Sequence, residues 1–194
     1  MPVEGHDIFF HVRVLMGVVL GLALTRMLAG VASFAQHRKH KPLYAGHLIW
    51  IAAVILMVIE FWWSEYALVR IQPWYFELFV FVLGYAFMFY LLATFLIPDE
   101  INEYDDYTDY FISRRKWFFA LLALTAPVDY IDTIAKGSAY LKSLGIEYLL
   151  WLFVMVVLCT IGAWAKDRRV HTTLAIVYLI SLTSWILRTY RVLE

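Results

Sequence analysis

The sequence predicts an all-α integral membrane protein, a six-transmembrane-helix bundle with both termini on the outer side of the membrane. Of the 194 residues, 63% are hydrophobic and only 16% are charged, whereas soluble domains average roughly 45 to 50% and about 25%. Six separate stretches are apolar over the length of about 20 residues that a helix needs to cross a bilayer. The composition excludes a soluble globular protein, and residues 1–194 are expected to form a single transmembrane domain.

Each predicted span is an apolar run between polar segments. The first covers 14–36 and follows an acidic start without the basic region and cleavage site of a signal peptide, so it is expected to be retained. The second and third cover 43–63 and 74–97 and are flanked by Trp62, Trp63 and Trp74, as is typical of headgroup depth. The last three are predicted over 117–135, 144–164 and 170–187.

The fourth predicted span contains Pro127, Asp129 and Asp132 in its second half. Because proline has no amide hydrogen and clashes with the preceding turn, a kinked span, a half-helix and a re-entrant segment are all compatible with this pattern. Broken helices with an acidic residue at the break form cation sites in many transporters. Neighbouring helices also repair such breaks without any function.

Basic residues indicate the orientation. Three alternate connections carry three Lys or Arg each, and the positive-inside rule places such connections in the cytoplasm. They are 37–41, 114–116 and 166–169. With six spans, both termini then lie outside, and the protein is predicted to be multi-pass in a bacterial-type inner membrane.

The segment 98–116, between the third and fourth spans, is predicted to form a short amphipathic helix on the cytoplasmic surface. At helical spacing, Tyr104, Tyr107 and Phe111 share one face, and the acidic residues fall on another. It lacks the glycine and the ligand spacing of a calcium loop.

Charged residues inside the spans predict a polar site, since an unpaired charge in the membrane costs several kcal/mol. At about 1.5 Å per residue, Arg26 and Asp129 fall roughly 15 and 18 Å from the cytoplasmic edge, which suggests an ion pair between them. The predicted polar site, which opens to the outer side, consists of Arg26, Asp129, Asp132, Glu60, Glu147 and Arg188. Alternatively, the outer residues reach the headgroups, and only Arg26, Asp129 and Asp132 remain as a structural group.

Five acids face three arginines in the spans, so at least two acids lack an arginine partner. One such acid could exchange protons near physiological pH. The acids are Glu60, Glu77, Asp129, Asp132 and Glu147, and the arginines are Arg13, Arg26 and Arg188.

These observations favour an ion channel or proton-coupled transporter that works as a homo-oligomer in the lipid bilayer. A non-catalytic accessory subunit bound to a partner membrane protein is the first alternative. A haem or quinone protein using His47 and His171 is the second. We expect no enzyme activity, cofactor or metal, because zinc, nucleophile-elbow and phosphate-loop motifs are absent. We expect no nucleic acid partner, because the net charge is zero.

Overall fold

A computed structural model describes residues 5–37, 42 and 44–190. Within them the chain forms six helices long and apolar enough to cross a membrane, and no strand. The helices are α1 (Gly5–His37), α2 (Ala45–Ser64), α3 (Phe76–Leu96), α4 (Tyr107–Ala135), α5 (Ser138–Trp164) and α6 (Arg168–Thr189). Two 3₁₀ helices, Glu65–Arg70 and Ile101–Glu103, follow α2 and α3.

All six predicted spans coincide with a helix, so the multi-spanning helical architecture is confirmed. Their edges differ by up to ten residues, most of all at α4, which begins at Tyr107 rather than at residue 117. Part of the sequence used to predict the orientation, namely Arg38, Lys39, His40, Lys41 and Arg191, lies outside the described residues.

Helix α4 is continuous through Pro127, so the half-helix and the re-entrant segment are wrong. It also begins ten residues before the predicted span, because Asp106 caps it by accepting from the amides of Thr108 and Asp109. The predicted surface helix within 98–116 is therefore not a separate element. Its second half forms the first turns of α4, with Tyr107 and Phe111 buried and Asp109 exposed.

The interrupted helix is α5. Gly145 has φ of 67° and ψ of −172°, a backbone conformation that side-chain-bearing residues rarely adopt. The kink separates a short segment, 138–144, from the long membrane-crossing part of α5, which starts where the predicted span starts. This segment carries Tyr140, which lines a hollow together with residues at the ends of α2 and α6.

The helices pack in three close pairs, α1 with α3, α2 with α6 and α4 with α5, and α3 joins α4. Trp50 of α2 lies at the centre, with its ring centroid 5.3 Å from the rings of Phe118, Phe119 and Tyr178. These aromatic side chains form the part of the core where α2, α4 and α6 meet.

Candidate functional site

A cluster of charged residues lies at the end of the bundle where α2 and α4 end and α5 begins. We call it the Lys136 cluster, and its members are Glu60, Glu65, Asp129, Asp132 and Lys136. Glu65 and Asp132 are 0% and 1% exposed, so the cluster reaches into the dry interior. It contains four carboxyl groups and one cation.

Lys136 is the cation that holds the cluster together. Its Nζ lies 2.7 Å from Oε1 of Glu65 and 2.5 Å from Oδ2 of Asp132. Burial by itself lowers the pKa of Lys136, but the carboxylates of Glu65 and Asp132 outweigh burial and raise that pKa above its ordinary value. Lys136 is therefore charged at every physiological pH.

One cation does not satisfy both carboxyl groups. Oε2 of Glu65 and Oδ1 of Asp132 are buried and have no hydrogen-bond partner among the described residues. Both carboxyl groups are held by the same ammonium group of Lys136.

Asp129 is bound by hydroxyl groups instead of a cation. Tyr85 donates to its Oδ1 at 3.1 Å, and Tyr148 donates to its Oδ2 at 2.8 Å. Thr133 lies 2.9 Å from the Tyr148 hydroxyl and extends the chain of hydrogen bonds. Neutral donors thus support a carboxylate at this position.

A small cavity of about 40 Å³ adjoins the cluster and is lined by Glu60, Asp129, Lys136 and the hydroxyl-bearing rings of Tyr85 and Tyr148. This volume is enough for a few water molecules, and the polar lining offers them partners. We call it the inner cavity. Glu60 and Asp129 are the two cluster acids that water in it can reach.

A wider hollow of about 620 Å³, the vestibule, lies next to the inner cavity. Glu147 and Arg188 line it and form an ion pair in which both side chains are about half exposed. Tyr140 and Tyr190 line both spaces, and Tyr190 lies within hydrogen-bonding reach of Glu60 and Tyr140. Burial, followed by the Glu60 carboxylate, raises the pKa of Tyr190, so its hydroxyl keeps its hydrogen.

The predicted ion pair between Arg26 and Asp129 is wrong. Arg26 donates to the carbonyl of Ile97 at 3.1 Å and forms an ion pair of 2.8 Å with Asp99, both of which follow α3. This is the end of the bundle opposite the Lys136 cluster. The predicted depth failed because α1 is 33 residues long and extends past the end of α3, so that Arg26 is level with the α3 terminus.

The structure thus brings together five of the six predicted site residues at one end of the bundle, and Arg26 lies at the other end. Glu60 and Asp129 line the inner cavity, Asp132 is buried beside it, and Glu147 and Arg188 form the vestibule pair.

His47 and His171 lie near each other, but their positions give the haem alternative no support. Nε2 of His47 bonds to the carbonyl of Leu96, and Nε2 of His171 bonds to the carbonyl of Ala165. The ring of Phe111 packs against both, with centroid distances of 5.6 and 5.4 Å. One nitrogen of each imidazole is thus engaged by a backbone carbonyl, and the Nδ1 atoms are buried without a partner among the described residues.

The sequence interpretation missed Glu65 and Lys136. Both stand next to polar connections, where charge is expected to meet water, although the structure buries them. One signal was present in the sequence: Asp132 and Lys136 are four residues apart, which places opposite charges on the same face of a helix.

Among the described residues, no three acidic, histidine or cysteine side chains converge as metal ligands would. The cluster brings carboxyl groups, hydroxyl groups and one amine together beside the inner cavity. Comparison with known proteins gives no match, whether to a protein-family model, a curated protein or a solved structure.

Proposed function

We propose that the protein is a proton-coupled channel or transporter in which the Lys136 cluster binds and releases the proton. The observation that carries this proposal is the ratio of four carboxyl groups to one lysine in the cluster. Fully ionised, the cluster would hold a formal charge of −3 in a medium where each unpaired charge costs several kcal/mol. Protons bound to carboxyl groups remove that charge.

The surroundings of the cluster support reversible proton binding. Glu60 and Asp129 line the inner cavity. Glu65 and Asp132 are not part of its lining, and both form ion pairs with Lys136. Tyr85 and Tyr148 donate hydrogen bonds to Asp129, and Tyr190 lines the same cavity, so hydroxyl groups that can both donate and accept surround the two cavity acids. With the predicted orientation, the vestibule opens to the outer side, and protons enter from there.

The test is proton flux into liposomes that contain the purified protein and a pH-sensitive dye. A potassium diffusion potential drives the flux, and the measurement is repeated with sodium, potassium and chloride gradients. We expect Asp129→Asn and Asp132→Asn to reduce the wild-type rate at least 10-fold, because each removes a protonatable group. Arg26→Gln is the matched control and should stay within 2-fold, because Arg26 lies at the other end of the bundle.

Folding of each variant is checked by size-exclusion chromatography and thermal unfolding in detergent. A folded wild-type protein that moves no more protons than empty liposomes under any gradient would contradict the proposal. The accessory-subunit alternative would then be the better explanation, and a stoichiometric partner should appear when the protein is purified from mildly solubilised membranes.

A further inference from the structure

A second charged region lies at the end of the bundle opposite the Lys136 cluster. Its members, which we call the basic surface, are Arg115, Lys116, Lys166, Arg168 and Arg169. Arg115 and Lys116 lie in the first half of α4, and the other three precede or begin α6. The ammonium group of Lys116 lies 5.4 Å from the ring centroid of Trp164 at the end of α5, so the surface joins α4, α5 and α6.

Within the part of the chain that the structure describes, these cations have no acidic partner. Among the described residues none of the five forms an ion pair, whereas Arg26, Lys136 and Arg188 each do. Asp167, the acid within this connection, accepts from the amide of Arg169 and so caps α6. The basic surface therefore carries a net formal charge of +4 once Asp167 is included.

Arg115 gives a more specific indication. Its Nη1 donates to the carbonyl of Ile112 within its own helix, but its Nε is buried and has no partner among the described residues. A buried donor without an acceptor is costly in a folded protein. An anionic oxygen at this position would satisfy it.

Apolar surface continues from the cations toward the middle of the bundle. Trp164 and Trp117 are 74% and 65% exposed, and Val157 and Ile161 extend the exposed apolar face along α5. A free inorganic anion would contact only the cations. A phospholipid would contact the cations through its phosphate and the exposed apolar face of α5 through its acyl chains.

We propose that the basic surface binds the phosphate headgroup of an anionic phospholipid, with the acyl chains along the exposed face of α5. The proposal does not depend on proton transport, because it concerns the other end of the molecule.

Native mass spectrometry of the detergent-purified protein tests the proposal, with phosphatidylglycerol as probe and phosphatidylcholine as the neutral comparison. We expect phosphatidylglycerol to bind at least 10-fold more tightly. The combined variant Lys116→Gln, Lys166→Gln and Arg169→Gln should weaken that binding about 100-fold, since each basic residue near an anionic membrane contributes roughly five-fold. Should it fail to fold, Lys166→Gln and Arg169→Gln alone, both exposed, should each weaken binding about five-fold.

The control removes positive charges at the opposite end of the bundle, by Arg70→Gln and Lys142→Gln, and should bind as the wild type does. Equal binding of the two lipids, or equal weakening by the control, would overturn the proposal. Competition by millimolar inorganic phosphate would also overturn it, because the site would then recognise the free anion without the acyl chains.

Discussion

Lys136 shows how a single residue can decide the chemistry of a membrane bundle. A buried lysine without a carboxylate partner would lose its proton, or its segment of the chain would shift so that the amine reaches water. Here Glu65 and Asp132 lie on either side of it, and the charged form is retained. Because the pKa of Lys136 is raised, its stabilising effect is fully present below the ordinary lysine value of about 10.4 and is lost only above it.

Replacing this cation should destabilise the protein strongly. We expect Lys136→Met to lower the free energy of unfolding by about 3 to 5 kcal/mol, because two buried carboxyl groups lose their partner. In a protein of this size that is roughly a 10 °C drop in Tm. Thermal unfolding in detergent at pH 7.5 measures it, with the exposed Lys142→Met as control.

A second substitution separates loss of charge from loss of packing. Lys136→Met combined with Glu65→Gln should recover part of the stability, because fewer uncompensated charges remain. If the double variant is no more stable than Lys136→Met, the ion pair does not account for the effect.

Arg26 and Lys136 also show what a sequence can say about single residues. The sequence shows that both residues lie in or next to predicted spans. The ionic partner of each, however, depends on how far the helices are shifted along one another. Arg26 meets Asp99 only because α1 extends past the end of α3. Hydrophobicity indicates which segments cross the membrane but gives a depth only within several residues, so ionic partners were beyond prediction.

At the scale of helices, the backbone break lies at a glycine and not at the proline that the sequence pattern pointed to. Pro127 lies inside a continuous helix, whereas Gly145 interrupts α5. Proline occupies a helix when neighbouring groups satisfy the freed carbonyls. Glycine permits a positive φ without requiring it, so its sequence position alone could not predict the kink.

The contact between α4 and α5 gives an element-scale prediction. A Cβ added at Gly162 would lie 2.5 to 2.7 Å from atoms of the Phe119 ring, so the helices approach closely there. We expect Gly162→Ala to cost about 1 to 3 kcal/mol, because the ring or a helix must move. The loss should be measurable as a lower Tm in detergent.

The matched control is Gly84→Ala in α3, where an added Cβ meets nothing within 4 Å. It should be neutral or stabilise by up to about 1 kcal/mol, since alanine favours helix more than glycine does. Equal losses in both variants would indicate a general effect of alanine rather than the Phe119 contact.

At the scale of the whole molecule, the number of spans and the all-helical class could be predicted because bilayer thickness imposes them. The concentration of polar residues toward one end was also visible in the sequence. The inner cavity was not, because it depends on Tyr140 and Tyr190 from two different elements meeting beside Glu60.

The orientation of the bundle can be measured with single cysteines after Cys159→Ala. Lys142 and Lys166 are both exposed and lie at opposite ends of α5. We expect Lys142→Cys to react with a membrane-impermeant maleimide in intact cells, and Lys166→Cys to react only after permeabilisation. The reverse pattern would place the vestibule in the cytoplasm.

Tyr140 and Tyr190 line both the inner cavity and the vestibule, and this bears on which ions could pass under the proposed function. A hydrogen ion can be relayed across a hydroxyl by exchange of bonds, with no displacement of the ring. An alkali ion must carry or shed its water shell and push the ring aside. Under the proposed function, Tyr140 and Tyr190 would discriminate between ions by the mechanism of passage rather than by diameter, because both rings line both spaces.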